Sequence, residues 1–485
     1  METMGLEPLS LLSNIVFTLP VLALATVIAT VTYRCTLHPL CSFPGPTLAA
    51  ASGFFIFYHD VVKDGKLHLA LEKLHDQYGP IVRIGPNELH VKHPEAYDQV
   101  YRPGYKVSKW SWYYSCFGVG QSSFGSLNNV EHGQRRAAIS SFFSRQSVLS
   151  LDDVLSRPIN KLRNRLERLC SQGPEAWCQL ERAYRCISLD SMSEIAFGKS
   201  FAFLDQEDCG QAFHDGVEDS LRTICVIRHF PLLVPVFNNM PLWVMRLAGE
   251  KLAAIRMMKE FARDAAKAAL SKAPVASNRT ILHEIVSNPD PRKTGLVTQR
   301  RLEEEALSLI AASSDTVGNA LAAATYHLLR NPEANKRLVE ELREAIPDAE
   351  SLREANPSYD TLAPLPWLSV ISMSAYLQHN DPTVFPNPES FRPERWLDSS
   401  GGTGSNTSKH LNRYLVAFGK GSHGCVGSTM AYSLLYKTLA TIHRSFEMRL
   451  EGGITDRDME YEDHFVGLHR HDAVRLTVSV PSVHS

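Results

Sequence analysis

Neither sign of charge predominates in this chain: 50 Lys and Arg stand against 52 Asp and Glu, a net of −2 over 485 residues. The near balance excludes nucleic acid as a main partner. The nine cysteines show no framework spacing. That excludes a disulfide scaffold and predicts reduced thiols in a body facing the cytosol. No flavin-binding segment is evident, so any flavin chemistry belongs to another chain. Internal repeats are absent too. What remains is ordinary globular composition, 44% hydrophobic and 21% charged, with ample material for a core.

From Pro8 to Tyr33 there is no charged residue. The run is long enough to span a bilayer, and Pro20 is tolerated in a membrane helix. A cleaved signal peptide is the competing reading, but the basic leader segment is missing. Arg34 and His38 follow the run, which places the body on the cytosolic side. Phe43-Pro-Gly-Pro46 then stiffens the exit. The chain is divided accordingly into an anchor (1–34), a Pro-rich hinge (35–46) and a single large domain (47–485).

Periodicity predicts an amphipathic helix over 66–78, ended by Tyr78-Gly-Pro80, and a β-hairpin from Ile81 to Val91. Most of 145–345 is helical in period, and 299–330 reads as one long helix. Gly401 to Ser408 is a low-complexity loop. The fold class is mainly α with a small β-sheet region.

Chemistry concentrates in Phe418-Gly-Lys-Gly-Ser-His-Gly-Cys425-Val-Gly427, just before an apolar helical pattern. A thiolate there faces the positive end of a helix and free backbone N–H groups, which stabilise its charge. One thiolate without partner ligands does not make a zinc site. It can serve as the axial ligand of a haem iron, and the glycines let a flat macrocycle approach the backbone. A plain buried cysteine at a helix start is the alternative.

This segment resembles the haem-thiolate loop of the cytochromes P-450, Phe-x-x-Gly-x-Arg-x-Cys-x-Gly. Phe418, Gly421, Cys425 and Gly427 match, and His423 stands where the family has Arg. The resemblance implies that Cys425 ligates the iron of haem b (heme b) and that His423 meets a propionate. It also identifies two further segments. His132 and Arg136 match the spacing of the family's Trp-x-x-x-Arg, which reaches the propionates. They share one helix face, and both can donate to a carboxylate. Asp315 and Thr316, within Ala311-Ala-Ser-Ser-Asp-Thr-Val317, match the oxygen-activation motif. By resemblance, Thr316 positions a proton on bound O2 and Asp315 feeds protons from solvent. A mid-helix Thr also loosens its helix by bonding the carbonyl one turn back.

The family's Glu-x-x-Arg helix and the short strands after it have no counterpart. Pro366 to Ser372 looks like the start of that helix, and Met373 onward looks like what normally follows the strands. Several dozen residues are missing at Ser372/Met373. The Glu-x-x-Arg strings at Glu260, Glu340, Glu350 and Glu389 lie outside the slot and read as coincidence. Arg395, in Phe391-Arg-Pro-Glu-Arg-Trp396, therefore lacks its expected partners. The resemblance implies an endoplasmic-reticulum enzyme of the fungal microsomal, secondary-metabolism type. It would insert one atom of O2 into a small apolar substrate (terpenoid, polyketide or alkaloid), with electrons from NADPH through a separate flavoprotein reductase. Substrate contacts are expected around Trp110–Phe124 and near Ser313. The alternative is a non-catalytic truncated isoform, a gene-model fragment or a decayed paralogue of such an enzyme.

Overall fold

Apolar residues at helical spacing build most of this chain, and the strands are few and short. The computed structural model describes residues 7–101, 107–173, 175–247, 253–271, 280–287, 297–348, 352, 357–362, 376–397, 411–470 and 473–484. The Ser372/Met373 junction and the Gly401–Ser408 loop lie outside the described residues. The chain divides into two units, Met1–Ala96 and Tyr97–Ser485.

In the first unit, α1 (Glu7–Thr36) contains Pro20. Its stretch Thr18–Thr36 is long and apolar enough to cross a membrane. Leu19, Val21, Leu22, Leu24, Val27 and Ile28 are all exposed on it, an arrangement that water disfavours and lipid does not. The predicted amphipathic helix is α2 (Leu67–Tyr78), with Gly79 after it at φ +93. The predicted hairpin is β1 (Ile81–Gly85) against β2 (Glu88–Val91), antiparallel. The hinge is more than a stiff linker. Arg83 N–H donates to Pro44 O at 2.7 Å, and a Cβ on Gly45 would lie 2.2 Å from Arg83 O. Only glycine permits that approach.

The second unit carries the large core. Its helices are α3 (Asn129–Ser140), α4 (Asp152–Ser171), α5 (Leu180–Phe197), α6 (Gln211–Ile227), α7 (Ala253–Leu270), α8 (Gln299–Ser314), α9 (Thr316–Arg330), α10 (Pro332–Ala345) and α11 (Ser428–Ser445). Asn128 caps α3, its side chain accepting the N–H groups of Val130 and Glu131, and Thr298 caps α8 through Arg301 N–H. Helix α5 is buried on nearly every face, as a helix at the centre of a core must be, and packs on α4, α8 and α9. Strand β3 (Trp177–Gln179) pairs with the last strand, β7 (Thr477–Val483), which also pairs with β4 (Phe446–Leu450); the sheet is antiparallel in the order β3-β7-β4. Strands β5 (Tyr461–His464) and β6 (Val466–His469) form a hairpin with one residue, Phe465, between them.

The single helix predicted over 299–330 is two. It breaks at Asp315, between α8 and α9. Thr316 Oγ1 donates to Ala312 O at 2.9 Å and competes with the helical ladder there. Beyond the break, Gly318 brings α9 hard against α5. A Cβ at that position would sit 2.5 Å from Arg185 Cγ and 2.8 Å from its Cα.

Candidate active site

The cysteine loop is shaped by glycine. Gly419 and Gly421 take φ +65 and +67, where any other residue is strained. Gly419 N–H donates to Val416 O at 2.8 Å, Gly424 N–H to Gly421 O at 3.1 Å and Cys425 N–H to Phe418 O at 2.7 Å. The Phe418 ring rests on Tyr432, 4.9 Å between centroids. Gly427 is different. A Cβ there would meet nothing nearer than Phe143 Cε1 at 3.8 Å, so the packing of the chain does not itself demand glycine.

Cys425 opens the start of α11 and its side chain is exposed. Its thiol nonetheless titrates above the usual cysteine range. Desolvation by the surrounding protein raises it; the backbone of Gly427 and the Arg136 guanidinium pull it down, but less. The backbone stabilisation expected from the sequence is present at Gly427, and desolvation opposes it; a cation bound beside the sulfur adds to the hold on a thiolate.

His132 and Arg136, one turn apart on α3, reach the same region. The His132 and His423 rings lie 4.3 Å apart. Lys109, which sequence reasoning missed, joins them. Its Nζ donates to Phe124 O and stands over the rings of Tyr114 and Phe124 at 5.1 and 5.2 Å. These groups suppress one another's charge. Burial, then Arg136, lowers Lys109 to about 8. Burial, then Lys109, His423 and Arg136, lowers His132 to about 4. His423 is lowered by burial, then by Lys109 and Arg136. Arg135, next to Arg136, is occupied elsewhere: it pairs with Glu131 at 2.9 Å and donates to Gly120 O at 3.0 Å. Among the described residues, no carboxylate forms an ion pair with Lys109, His132, Arg136 or His423. Four crowded basic groups without a counter-ion suit a ligand with two carboxylates. With the accessible thiol and the uncluttered Gly427, these residues fit a haem.

Asp315 and Thr316 are neighbours that face apart. Thr316 is exposed, as are Ala311 and Ala312, so this side of the helix break presents small residues and one hydroxyl. Asp315 is 2% exposed and turns into a buried cluster of charges. Arg185 holds it at 3.2 Å, and also holds Glu181 at 2.9 Å and Glu218 at 2.5 Å. Arg475 closes the cluster, 3.1 Å from Glu181 and 2.8 Å from Glu218. Burial raises the Asp315 carboxyl against the pull of Arg185. The structure thus groups Cys425, His423, His132 and Arg136, and sets Asp315 apart among charges the sequence did not reveal. Ser313 is buried and donates to Ile310 O, so this serine does not line the exposed side of the helix.

The predicted aromatic segment is a cluster: Trp110 against Trp112 at 4.8 Å and Phe117 against Phe124 at 5.6 Å. Phe465, another residue without a sequence signal, packs on Phe117 at 4.6 Å. Arg395 is held by backbone rather than by an acid. Its guanidinium donates to the carbonyls of Arg392, Pro386, Asn387 and Ser390 at 3.1–3.2 Å. Glu260, in one of the stray Glu-x-x-Arg strings, pairs with Arg246 and Arg256.

Comparison with known proteins is consistent with this geometry. The cytochrome P-450 family model matches residues 44–371 and 369–472, two pieces that meet beside Ser372/Met373. A cytochrome P-450 monooxygenase of Ascocoryne sarcoides is 33% identical, the alignment covering 90% of this chain and 92% of that protein. Conidiogenone synthase of Penicillium rubens is 29% identical over 93% of this chain and 96% of its own length. A tryptophan 6-hydroxylase of Fusarium equiseti is 29% identical over 87% and 88%. In the first alignment, 90% of 485 residues is about 437, so about 49 of the 486 aligned positions hold no residue of this chain. The family match spans most of the sequence, and the relatives are monooxygenases and hydroxylases: the chain belongs to the cytochrome P-450 monooxygenase family.

Proposed function

We propose that this chain is a haem-dependent monooxygenase that inserts one atom of O2 into a small apolar molecule of terpenoid, polyketide or alkaloid type. Electrons come from NADPH through a separate flavoprotein reductase, and α1 anchors the protein in the endoplasmic-reticulum membrane. The observation that carries the reading is the convergence of an accessible cysteine with four basic side chains that lack a carboxylate partner among the described residues.

Cys425 would hold the iron of a haem through its thiolate, and the haem, when bound, would supply the chemistry of O2 reduction and cleavage. The chain's own groups do the rest. His132, Arg136, His423 and Lys109 hold the two propionates by charge-assisted hydrogen bonds. Phe418 and the open face of Gly427 leave room for the macrocycle. Thr316 stands on the exposed side of the helix break and holds a proton at its Oγ1 for transfer to reduced oxygen. Asp315, held by Arg185, replenishes that proton. The aromatic cluster from Trp110 to Phe124 excludes water and receives the apolar substrate. The relatives' names, a conidiogenone synthase and a tryptophan 6-hydroxylase, support a small-molecule substrate.

Lys109 gives this reading a pH test. Its ammonium is depressed to about 8 in the chain alone, and pairing with a carboxylate raises it. Its contribution to haem affinity is therefore full below pH 8 and is lost as pH rises through the raised value. Haem titration of Lys109→Met is expected to show about ten- to 150-fold weaker binding at pH 7, the effect of losing one charged hydrogen bond of about 1.5–3 kcal/mol. The difference from wild type should shrink at high pH. Equal affinity at pH 7 would remove Lys109 from the site.

A second reading is supported by the family match breaking at residues 369–371 and by the unmatched alignment positions. On this reading the chain is a shortened form of an active enzyme, missing the Glu-x-x-Arg helix and its strands. Sequencing the transcript across Ser372–Met373 tests it. An in-frame insert encoding Glu-x-x-Arg supports a gene-model error; a clean junction in the dominant transcript sinks that version.

A further inference from the structure

Phe465 forms the whole β5–β6 turn at φ +78. A bulky residue in the left-handed region is strained and persists only when its surroundings hold it. Here the ring is wedged into the aromatic cluster, 4.6 Å from Phe117, 5.7 Å from Phe124 and 6.0 Å from Tyr113. Two residues further along, the same hairpin enters the buried charges. Gly467 O accepts from Asn319 Nδ2 at 2.8 Å, and Asn319 Oδ1 accepts from Arg185 Nη2 at 3.3 Å. Arg185 is the guanidinium that holds Asp315. Asn319 lies one turn after Asp315 on α9, and its own N–H donates to Asp315 O at 2.9 Å. The base of the hairpin is clamped separately: Arg222 donates to Glu462 at 2.8 Å and to His469 O at 2.8 Å, and His469 Nε2 lies 3.4 Å from Glu181.

From this juxtaposition we infer that Asn319 is a positioning residue coupling the Phe465 turn to the Asp315–Arg185 ion pair. A molecule that displaces the Phe465 ring draws Gly467 off the Asn319 amide, and the amide in turn gives up its hold on Arg185. The acid is thereby loosened when the aromatic cluster is engaged and stays clamped when it is not. The inference rests on the reading of Asp315 as the proton-supplying acid. An amide suits the position because it must donate to a carbonyl and accept from a guanidinium at once. The coupling path is two hydrogen bonds long, and the turn's strain favours movement once the ring is unseated.

Hydrogen exchange followed by mass spectrometry tests this on the full chain, with or without haem. Phe465→Ala mimics removal of the wedge. It is expected to speed exchange about fivefold or more, the lower end of ordinary coupling, in both 461–469 and 315–322. In an Asn319→Ala background the same substitution should still speed the hairpin and no longer change 315–322. Asn319→Asp, which keeps an acceptor for Arg185 but cannot donate to Gly467, should behave likewise, and it serves if the alanine variant folds poorly. A purely structural role would leave the two substitutions additive. Equal responses of 315–322 with and without Asn319, or no response in its presence, would overturn the coupling. Neither arm requires haem, so failure of the oxygenase reading, seen in the carbon monoxide spectrum, is a separate result.

Discussion

Cys425→Ser is expected to abolish monooxygenase activity completely while leaving the fold intact. The side chain is exposed, and serine is nearly the same shape. The loop is held by backbone bonds, chiefly Cys425 N–H to Phe418 O, which the substitution keeps. Unfolding by urea should change by no more than about 0.5 kcal/mol, as for ordinary surface substitutions. What is lost is the thiolate and its electron donation to iron, on which O–O cleavage depends. The red-shifted ferrous–carbon monoxide band should vanish with the activity. Gly427→Val makes the same point by sterics. Its backbone, at φ −86, accepts a side chain, and a Cβ there has no near neighbour in the chain. Haem binding should fall while protein stability holds. A serine variant that keeps both the band and turnover would remove Cys425 from the centre of the account.

The second large effect is on stability. Arg185→Met should destabilise the protein by about 3–5 kcal/mol at neutral pH, the usual result of removing one side of a buried ion network. Against a typical total of about 5–15 kcal/mol, that is at least about a fifth of the fold's stability. Glu181, Glu218 and Asp315 are all buried; the two glutamates would be left with the Arg475 guanidinium, with His469 beside Glu181. Asp315 would lose the one ion pair it makes among the described residues. The pH dependence has a definite sign. Arg185 and Arg475 overcome burial and hold the Glu218 carboxyl down at about 2, from an ordinary 4.5. Its stabilisation is present above pH 4.5 and disappears as pH falls through 2. The unfolded chain is common to both, so the difference between wild type and variant narrows as pH falls through the carboxyls' values in the variant, which burial without Arg185 pushes up, toward about 2 for Glu218 in wild type. Urea unfolding at pH 7 and pH 4 measures this. An unchanged gap would mean that Arg185 contributes through packing against Gly318 rather than through charge.

Local patterns in the sequence predicted the local parts of the structure well. Tyr78-Gly-Pro80 ends α2, the turn residues after Ile84 join β1 to β2, and the glycines at 419 and 421 shape the cysteine loop, because each of these rests on neighbouring backbone conformation. The break at Asp315 was half visible. The hydroxyl of Thr316 signalled a loosened helix, but periodicity alone carried the helix through it. Lys109, Arg185 and Phe465 were not visible at all. Lys109 meets His132 and His423 only in the folded chain, Arg185 finds Asp315 because Gly318 lets two helices touch, and Phe465 reaches Phe117 from the far end of the sequence. Such groups are defined by long-range packing, and a basic or aromatic residue in a single sequence does not announce which partner it will find. For Cys425 the backbone stabilisation expected at a helix start is present through Gly427, while the desolvation that opposes it is a property of the assembled pocket.

The central claim is that this chain, with the junction at Ser372/Met373 as it stands, assembles a haem-thiolate site. The measurement that tests it most directly is the ferrous–carbon monoxide difference spectrum of the full chain. The account predicts the red-shifted Soret band of thiolate ligation, because Cys425, Arg136, His132, His423 and Lys109 converge in this chain as it stands. Absence of that band, with its appearance once a Glu-x-x-Arg segment is restored at the junction, would contradict the claim and make this chain a non-functional form of an oxygenase.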